Sequence, residues 1–351
     1  MAIRIIVCNK GRAQMKNDGM KSRAIRTLKL RNPGTQLLQQ CSARLVFLSL
    51  VVPLVFILSV QASGVDDPFK EHAKLMHEAI YNNNLFRVRA LLRTPYVDPS
   101  GEYNDEPFMA TAVRMFTKYS SYEVIDALLA AGGRIDVVSS SGMTPFHVVC
   151  EEKQRTLLNY LVSKLQGKPS KTVINSKVQY GYTPLLRCLQ WYSGKPGNQE
   201  MYGMVETLLD LGADPNIGDD LNATPLMYAV SNINDALLKD TVVDLLLSKG
   251  ADPDVGETTL GHTPIMQAMW ARKMHVFQAL LVHTKNVDAR ENCGLTALDL
   301  AHVKEHFGDV CYFTDPAVPE FQPYASYLVQ AGATFHLPPN GTKCECLHHA
   351  K

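Results

Sequence analysis

The chain has 351 residues, 46% of them apolar, and its 35 Lys and Arg nearly balance its 34 Asp and Glu to a formal charge of +1. That is apolar content enough to bury a core. The balance is uneven, with +9 over residues 1–62 and −8 over the rest, and an acidic body argues against nucleic acid as a partner, because phosphates would be repelled rather than neutralised.

The first element lies in residues 1–62, where ten Lys and Arg and one acid, Asp18, accompany sixteen uncharged residues, Leu45 to Val60, rich in Leu, Val and Phe. A membrane-spanning helix needs about 20 apolar residues, whereas the apolar region of a signal peptide runs to about 15. The run therefore reads as a signal peptide. Val60 and Ala62 are small residues at the spacing a signal peptidase reads, so cleavage is expected after Ala62. The 44-residue stretch ahead of the run is long for a signal peptide. Either a later methionine such as Met20 is the start, or the segment persists as an uncleaved signal anchor. A basic flank stays cytosolic, so both versions place the remaining residues in the secretory lumen, outside the cell or membrane-anchored facing that side. A mitochondrial presequence and a cytoplasmic chain are the alternatives.

From residue 142 to 301 one phrase recurs five times. It reads Gly-Met-Thr-Pro-Phe-His from Gly142, Gly-Tyr-Thr-Pro-Leu from Gly181, Asn-Ala-Thr-Pro-Leu from Asn222, Gly-His-Thr-Pro-Ile from Gly261 and Gly-Leu-Thr-Ala-Leu from Gly294. A second phrase follows at a helix's distance, Leu-Leu-Asp-Leu-Gly-Ala-Asp-Pro-Asn from Leu208 and Leu-Leu-Ser-Lys-Gly-Ala-Asp-Pro-Asp from Leu246. Threonine caps a helix, and proline in its first turn lacks only an amide hydrogen that would go unbonded there anyway. Gly212, Gly250 and Gly332 stand where a helix stops in a left-handed torsion.

The paired phrases resemble the ankyrin repeat. That resemblance implies an all-α ankyrin-repeat solenoid of helix-turn-helix units with connecting finger loops, in which small residues such as Ala229 and Ala268 let inner helices approach. No unit can bury its apolar face alone, so stability comes from stacking about three or more. Two weaker units precede the clear five. In one, His77, Glu78 and Ala79 lead to Val88, Leu91 and Leu92; in the other, Pro107 and Phe108 lead to Val124, Leu128, Leu129 and Gly132. The expected organisation is a leader with a signal or anchor over residues 1–62, an ankyrin domain of about seven units over 63–335 with the last atypical, and a tail over 336–351.

Thr144, Thr183, Thr224, Thr263 and Thr296 are spaced by 39, 41, 39 and 33 residues. Only the last interval has the usual length of about 33. The excess falls in polar or Gly/Pro-rich stretches, Lys164 to Thr172, Ser193 to Tyr202 and Asn234 to Lys239, which read as enlarged loops. His306 to Gln322 reads as a long insertion before a capping outer helix, Tyr324 to Gly332.

Eight cysteines bear on compartment. Cys8 and Cys41 fall in the leader. Cys150 and Cys188 fall at small-residue positions on successive inner helices; with such helices about 10 Å apart, this pair is expected to stay reduced. Cys293, Cys311, Cys344 and Cys346 cluster in the last unit and tail, and an oxidising lumen could join Cys293 and Cys311 each to a tail cysteine. The tail run Cys344-Glu345-Cys346-Leu347-His348-His349 matches no zinc-module spacing, so no metal is expected. Asn222 and Asn340 head Asn-x-Thr sequons and are glycosylation candidates.

The chain has no Gly-x-Ser-x-Gly, no glycine loop with a phosphate-binding lysine and no His-Glu-x-x-His, so neither an enzyme nor a cofactor is expected. His147 holds the structural histidine position that the resemblance implies. The function implied is non-enzymatic protein binding through the concave groove, lined by finger tips and the exposed end of each inner helix. Those positions pick out Tyr180, Tyr182, Trp191, Leu221, Leu260 and Trp270, and at one end Glu151 and Glu152, which would favour a basic partner segment. Aromatic anchors concentrate binding energy. Against this, the enlarged loops could fold over the rings and bury them. A secreted effector or toxin-like protein acting on a target cell is the alternative function, and an enzyme with an unrecognised site a more distant one.

Overall fold

The computed structural model describes residues 67–190, 199–232, 236–307, 310–313 and 319–335. Seven helix pairs follow one another among them. They are α1 (Pro68–Tyr81) with α2 (Leu85–Leu91), α3 (Phe108–Tyr119) with α4 (Glu123–Ala130), α5 (Pro145–Glu152) with α6 (Arg155–Lys164), then, after a one-turn α7 (Lys171–Ile174), α8 (Pro184–Gln190) with α9 (Gln199–Asp210). The series ends with α10 (Pro225–Asn232) and α11 (Ala236–Ser248), α12 (Pro264–Trp270) and α13 (Met274–His283), and α14 (Ala297–Ala301) and α15 (Gln322–Gln330). Each inner helix packs on the inner helices before and after it. A two-residue ribbon, β1 (Glu102–Tyr103) paired antiparallel with β2 (Glu106–Pro107), forms the second finger.

Burial separates the two helix types. Inner helix α5 buries every residue from Pro145 to Cys150, whereas outer helix α6 buries only the stripe Leu157, Leu158 and Leu161. An inner helix has neighbours on both flanks and on its partner, so apolar residues can occupy its whole circumference; an outer helix keeps one face in water.

The repeated phrase works as an N-terminal cap. The Thr144 hydroxyl accepts from the His147 amide, and His147 Nδ1 lies 3.2 Å from the Thr144 amide, completing a reciprocal box. His147 Nε2 then reaches the Tyr182 carbonyl of the next finger at 3.1 Å. Thr296 repeats the box with Asp299. In the fifth and sixth units Met227 and Met266 stand where the histidine would be, and the buried hydroxyls of Thr224 and Thr263 have no partner among the described residues.

The second phrase stitches neighbouring units. Asn175 accepts from the Asp214 amide at 2.8 Å and donates to the Gly212 carbonyl at 3.3 Å; Asn216 does the same one unit later with Asp252 and Gly250. Fingers also pack tightly. Gly142 has φ of +84°, and a Cβ there would stand 2.0 Å from the Lys177 carbonyl oxygen of the next finger, so both torsion and space demand glycine.

Three features depart from the sequence reading. The stretches Ser193 to Tyr202 and Asn234 to Lys239 are not loop throughout, because α9 already begins at Gln199 and α11 at Ala236; residues 191–198 and 233–235 lie outside the description. The insertion begins earlier, as an antiparallel hairpin of β3 (Val303–Phe307) and β4 (Val310–Phe313) that cuts inner helix α14 to five residues.

The third departure is chemical. Cys150 and Cys188, expected to stay reduced, form a disulfide with Cα atoms 4.6 Å apart. The figure of about 10 Å describes helix axes, and Cα atoms facing each other across an interface each lie about 2.3 Å inside that span. Small side chains at both positions bring the backbones closer still. Cys293 is also disulfide-bonded. Cys8, Cys41, Cys344 and Cys346 lie outside the described residues, and Cys311 is described only as a position on β4.

The bridge closes a sequence separation of 38 residues. Replacing both cysteines by alanine is expected to lower stability by about 2–4 kcal/mol in urea unfolding. Nonreducing peptide mapping should recover the Cys150–Cys188 pair, and two alkylated free thiols there would contradict it. Burial depresses the His147 pKa to about 4. The unfolded chain then binds a proton near pH 6.5 that the folded chain refuses, so this group's contribution is present above pH 6.5 and is lost as pH falls towards 4. The loss should reach about 3 kcal/mol, and His147→Gln should flatten the stability profile in that window.

Candidate binding groove

Three successive finger tips carry large apolar side chains into solvent. Tyr180 is 63% exposed, Leu221 56% and Leu260 49%. Each is held through its own carbonyl: Asp220 donates its amide to Tyr180 at 3.1 Å, Thr258 to Leu221 at 2.8 Å and Asn292 to Leu260 at 2.8 Å. Every tip is thus tied to the finger that follows, and the side chain projects from a fixed backbone.

Polar groups beneath the tips stiffen them. Asp219 Oδ1 accepts from the amides of Leu221 and Ala223, both at 2.9 Å. Although burial opposes its ionisation, Glu257 is held below the usual carboxylate range by the amides of Leu260, Thr259 and His262. Tyr180 has φ of +67°, a left-handed torsion that is costly for a bulky side chain and persists only where the surroundings enforce it.

The fourth unit adds a ring platform. Tyr182 meets Tyr180 edge-on at 6.4 Å between centroids and Tyr228 at 6.2 Å. Tyr228 donates to Asp219 Oδ2 at 2.8 Å and bonds the Tyr182 hydroxyl at 3.3 Å. Burial first, then the bonds to Tyr182 and Asp219, pushes the Tyr228 phenol above its usual range. Arg187, one turn into α8, lays its guanidinium over the Tyr182 ring at 4.8 Å.

The remaining candidate residues divide. Trp270 ends inner helix α12, is 40% exposed, and packs edge-on against Phe321 at 5.3 Å, so part of its surface is structural. Trp191 lies outside the described residues, as do Asn340 and the tail. Glu151 and Glu152 sit at the end of α5 and reach Arg114 at 3.2 and 3.5 Å, while Glu106 takes the same guanidinium at 3.2 Å. Their charge is therefore partly spent within the chain. The same guanidinium links the second unit to the third. Asn222 is exposed at a finger tip, and its side-chain amide donates to the Gly256 carbonyl at 3.0 Å. No group of three or more His, Cys, Asp or Glu placed to hold a metal ion occurs among the described residues. No helix among them is long and apolar enough to cross a membrane, and the run Leu45 to Val60 falls outside them.

Sequence reasoning missed Arg187 and Tyr228. Both stand four residues after the phrase threonine, a position buried as Val148 and Leu300 in other units but only partly buried here, and the large polar side chains at that register were the signal.

A stack of helix pairs with fingers tied in a ladder defines a class of helical repeat proteins. Residues 109–219 match a family described as ankyrin repeats (3 copies), and residues 222–257 match the ankyrin repeat. The chain is an ankyrin repeat protein, and ankyrin repeats are protein–protein interaction modules, generally without enzymatic activity. It is 26% identical over 241 residues to the probable 26S proteasome regulatory subunit p28 of Saccharomyces cerevisiae, spanning 66% of this chain and 96% of that protein. It is also 26% identical over 155 residues to the ankyrin repeat protein nuc-2 of Neurospora crassa, 44% of this chain but only 13% of that one. Among solved structures, the ankyrin repeat domain of Bcl-3, described as a unique member of the IkappaB protein family, aligns with a TM-score of 0.50 and 21% identity over 64% of this chain and 92% of that one. At that identity the likeness concerns fold.

The tips and the core should respond differently to truncation. Leu221→Ala is expected to change unfolding stability by less than about 0.5 kcal/mol, whereas Leu226→Ala, removing a buried side chain from α10, should cost about 2–5 kcal/mol. Equal losses at the two positions would mean that the tip serves packing.

Proposed function

We propose that this protein binds a protein partner through the concave side of its middle units and that it does so after entering the secretory pathway. The observation that carries the binding reading is the row of exposed apolar tips, Tyr180, Leu221 and Leu260, on fingers joined by main-chain hydrogen bonds. Large apolar side chains on a rigid backbone offer a partner area that need not be ordered on binding. Trp270 extends the same surface by its exposed edge, and Trp191 is proposed as a further anchor. Glu151 and Glu152 remain candidates for a basic partner segment, weakened by their pairing with Arg114. The acidic body disfavours nucleic acid.

Secretory entry is supported by two independent features. The uncharged run Leu45 to Val60 follows a basic flank, and a buried disulfide joins Cys150 to Cys188. Disulfides form and persist in oxidising compartments and are rare in the cytosol. In that setting Cys293, Cys311, Cys344 and Cys346 would staple the tail, and Asn340 would be the glycan acceptor, since the Asn222 amide already serves the next finger. A membrane would be met only through residues 45–60, if the segment stays uncleaved.

One observation favours a second reading. The match to a proteasome regulatory subunit covers nearly the whole of that relative, and would suit a cytosolic partner of the same kind. Expression of the full-length chain with a C-terminal tag separates the two. The secretory reading expects tag in the medium or in protease-protected membranes, with Cys150–Cys188 oxidised. Tag that is entirely cytosolic, with both thiols free, contradicts it. For the groove, the triple variant Tyr180→Ala/Leu221→Ala/Leu260→Ala should lose partner capture while melting near the wild-type temperature, and undiminished capture would place binding elsewhere.

A further inference from the structure

We propose that the centre of the groove contains a carboxylate-recognition site built on Arg187, and that its occupant is an extended partner segment carrying an Asp or Glu flanked by apolar residues. The inference rests on the groove-binding reading and adds the chemistry of the partner.

Arg187 stands in the groove with no ion-pair partner among the described residues. Its guanidinium lies over the Tyr182 ring at 4.8 Å, and one nitrogen donates to Gln190 Oε1 at 3.1 Å. The acid in the same network, Asp219, has both oxygens engaged, Oδ1 by the Leu221 and Ala223 amides and Oδ2 by the Tyr228 hydroxyl. Arg114, in the second unit, shows the contrast, since Glu106, Glu151 and Glu152 all reach it. No carboxylate of the described residues pairs with Arg187, which leaves its donors open to one from a partner.

The site is prepared for one. Ring and glutamine fix the plane of the guanidinium, so a partner carboxylate could take two parallel N–H donors with little further ordering. Tyr180 and Leu221 expose apolar surface on the adjoining tips, which sets the demand for apolar neighbours in the partner. The acidic remainder of the domain does not overrule this contact, because exposed charges beyond about 8 Å are screened at physiological salt.

The test is selection of a random 12-residue peptide library on the full-length protein, immobilised through a C-terminal tag, against three variants. Selected peptides should be enriched in Asp or Glu flanked by apolar residues. Their affinity should fall at least about tenfold in Arg187→Gln, recover in part in Arg187→Lys, and weaken with salt in the wild type but not in Arg187→Gln. A thermal melt checks that Arg187→Gln remains folded. Peptides lacking acidic enrichment, or binding unchanged in Arg187→Gln, overturn the carboxylate site and leave the groove standing. If Tyr180→Ala/Leu221→Ala/Leu260→Ala selects the same peptides as the wild type, or if the wild type selects none, the groove reading falls with it.

Discussion

A helix pair of this length has more apolar surface than its own two helices can cover, and everything else in the molecule follows from how the excess is disposed of. Inner helix α5 is buried from Pro145 to Cys150, and no contact within its own unit could do that. Its two flanks are closed by α3 and α8. The stack is therefore obligatory, and each unit's stability is held jointly with its neighbours. The fingers share this interdependence. His147 caps its own helix and then bonds the next finger, while Asn175 and Asn216 tie each inter-unit turn to the turn that follows. Local capping and long-range stacking are carried by the same side chains.

That economy explains why a binding surface can be apolar and exposed at once. The recurring register of the fingers is satisfied by main chain, glycine and buried threonine, which leaves the tip side chains with no structural duty. Tyr180, Leu221 and Leu260 can be large and apolar without collapsing inward, because their backbones are pinned by Asp220, Thr258 and Asn292. Arg187 and Tyr228 stand between buried positions of their inner helices and reach the same surface, Arg187 over the Tyr182 ring and Tyr228 bonded to Asp219. The surface is thus an array of unconstrained positions on a constrained frame.

Much of this was legible in the sequence, for an identifiable reason. Thr-Pro starts, Gly stops and Leu-Leu stripes are local signals repeated at similar spacing, and repetition makes each one reinforce the others. The tips Tyr180, Leu221 and Leu260 could be placed by counting back from a threonine. What escaped were facts that depend on distance between chains of atoms. Cys150 and Cys188 were separated by an axis-to-axis figure although facing Cα atoms lie far closer. The pairing of Glu151 and Glu152 with Arg114 joins residues 37 and 38 positions apart. The hairpin Val303–Phe307 with Val310–Phe313 had a signal that was passed over, in two aromatic and β-branched runs about a Gly-Asp pair where an inner helix was due.

The central claim is that the fingers form one hydrogen-bonded ladder that fixes the tips in space. Amide hydrogen exchange at Asp220, Thr258 and Asn292 tests it most directly. These residues are exposed, and free loops of that exposure exchange at the rate of unstructured peptide. The ladder predicts slow exchange at all three, released together with the opening of whole units. Exchange at the unprotected rate, with the helices still protected, would contradict it.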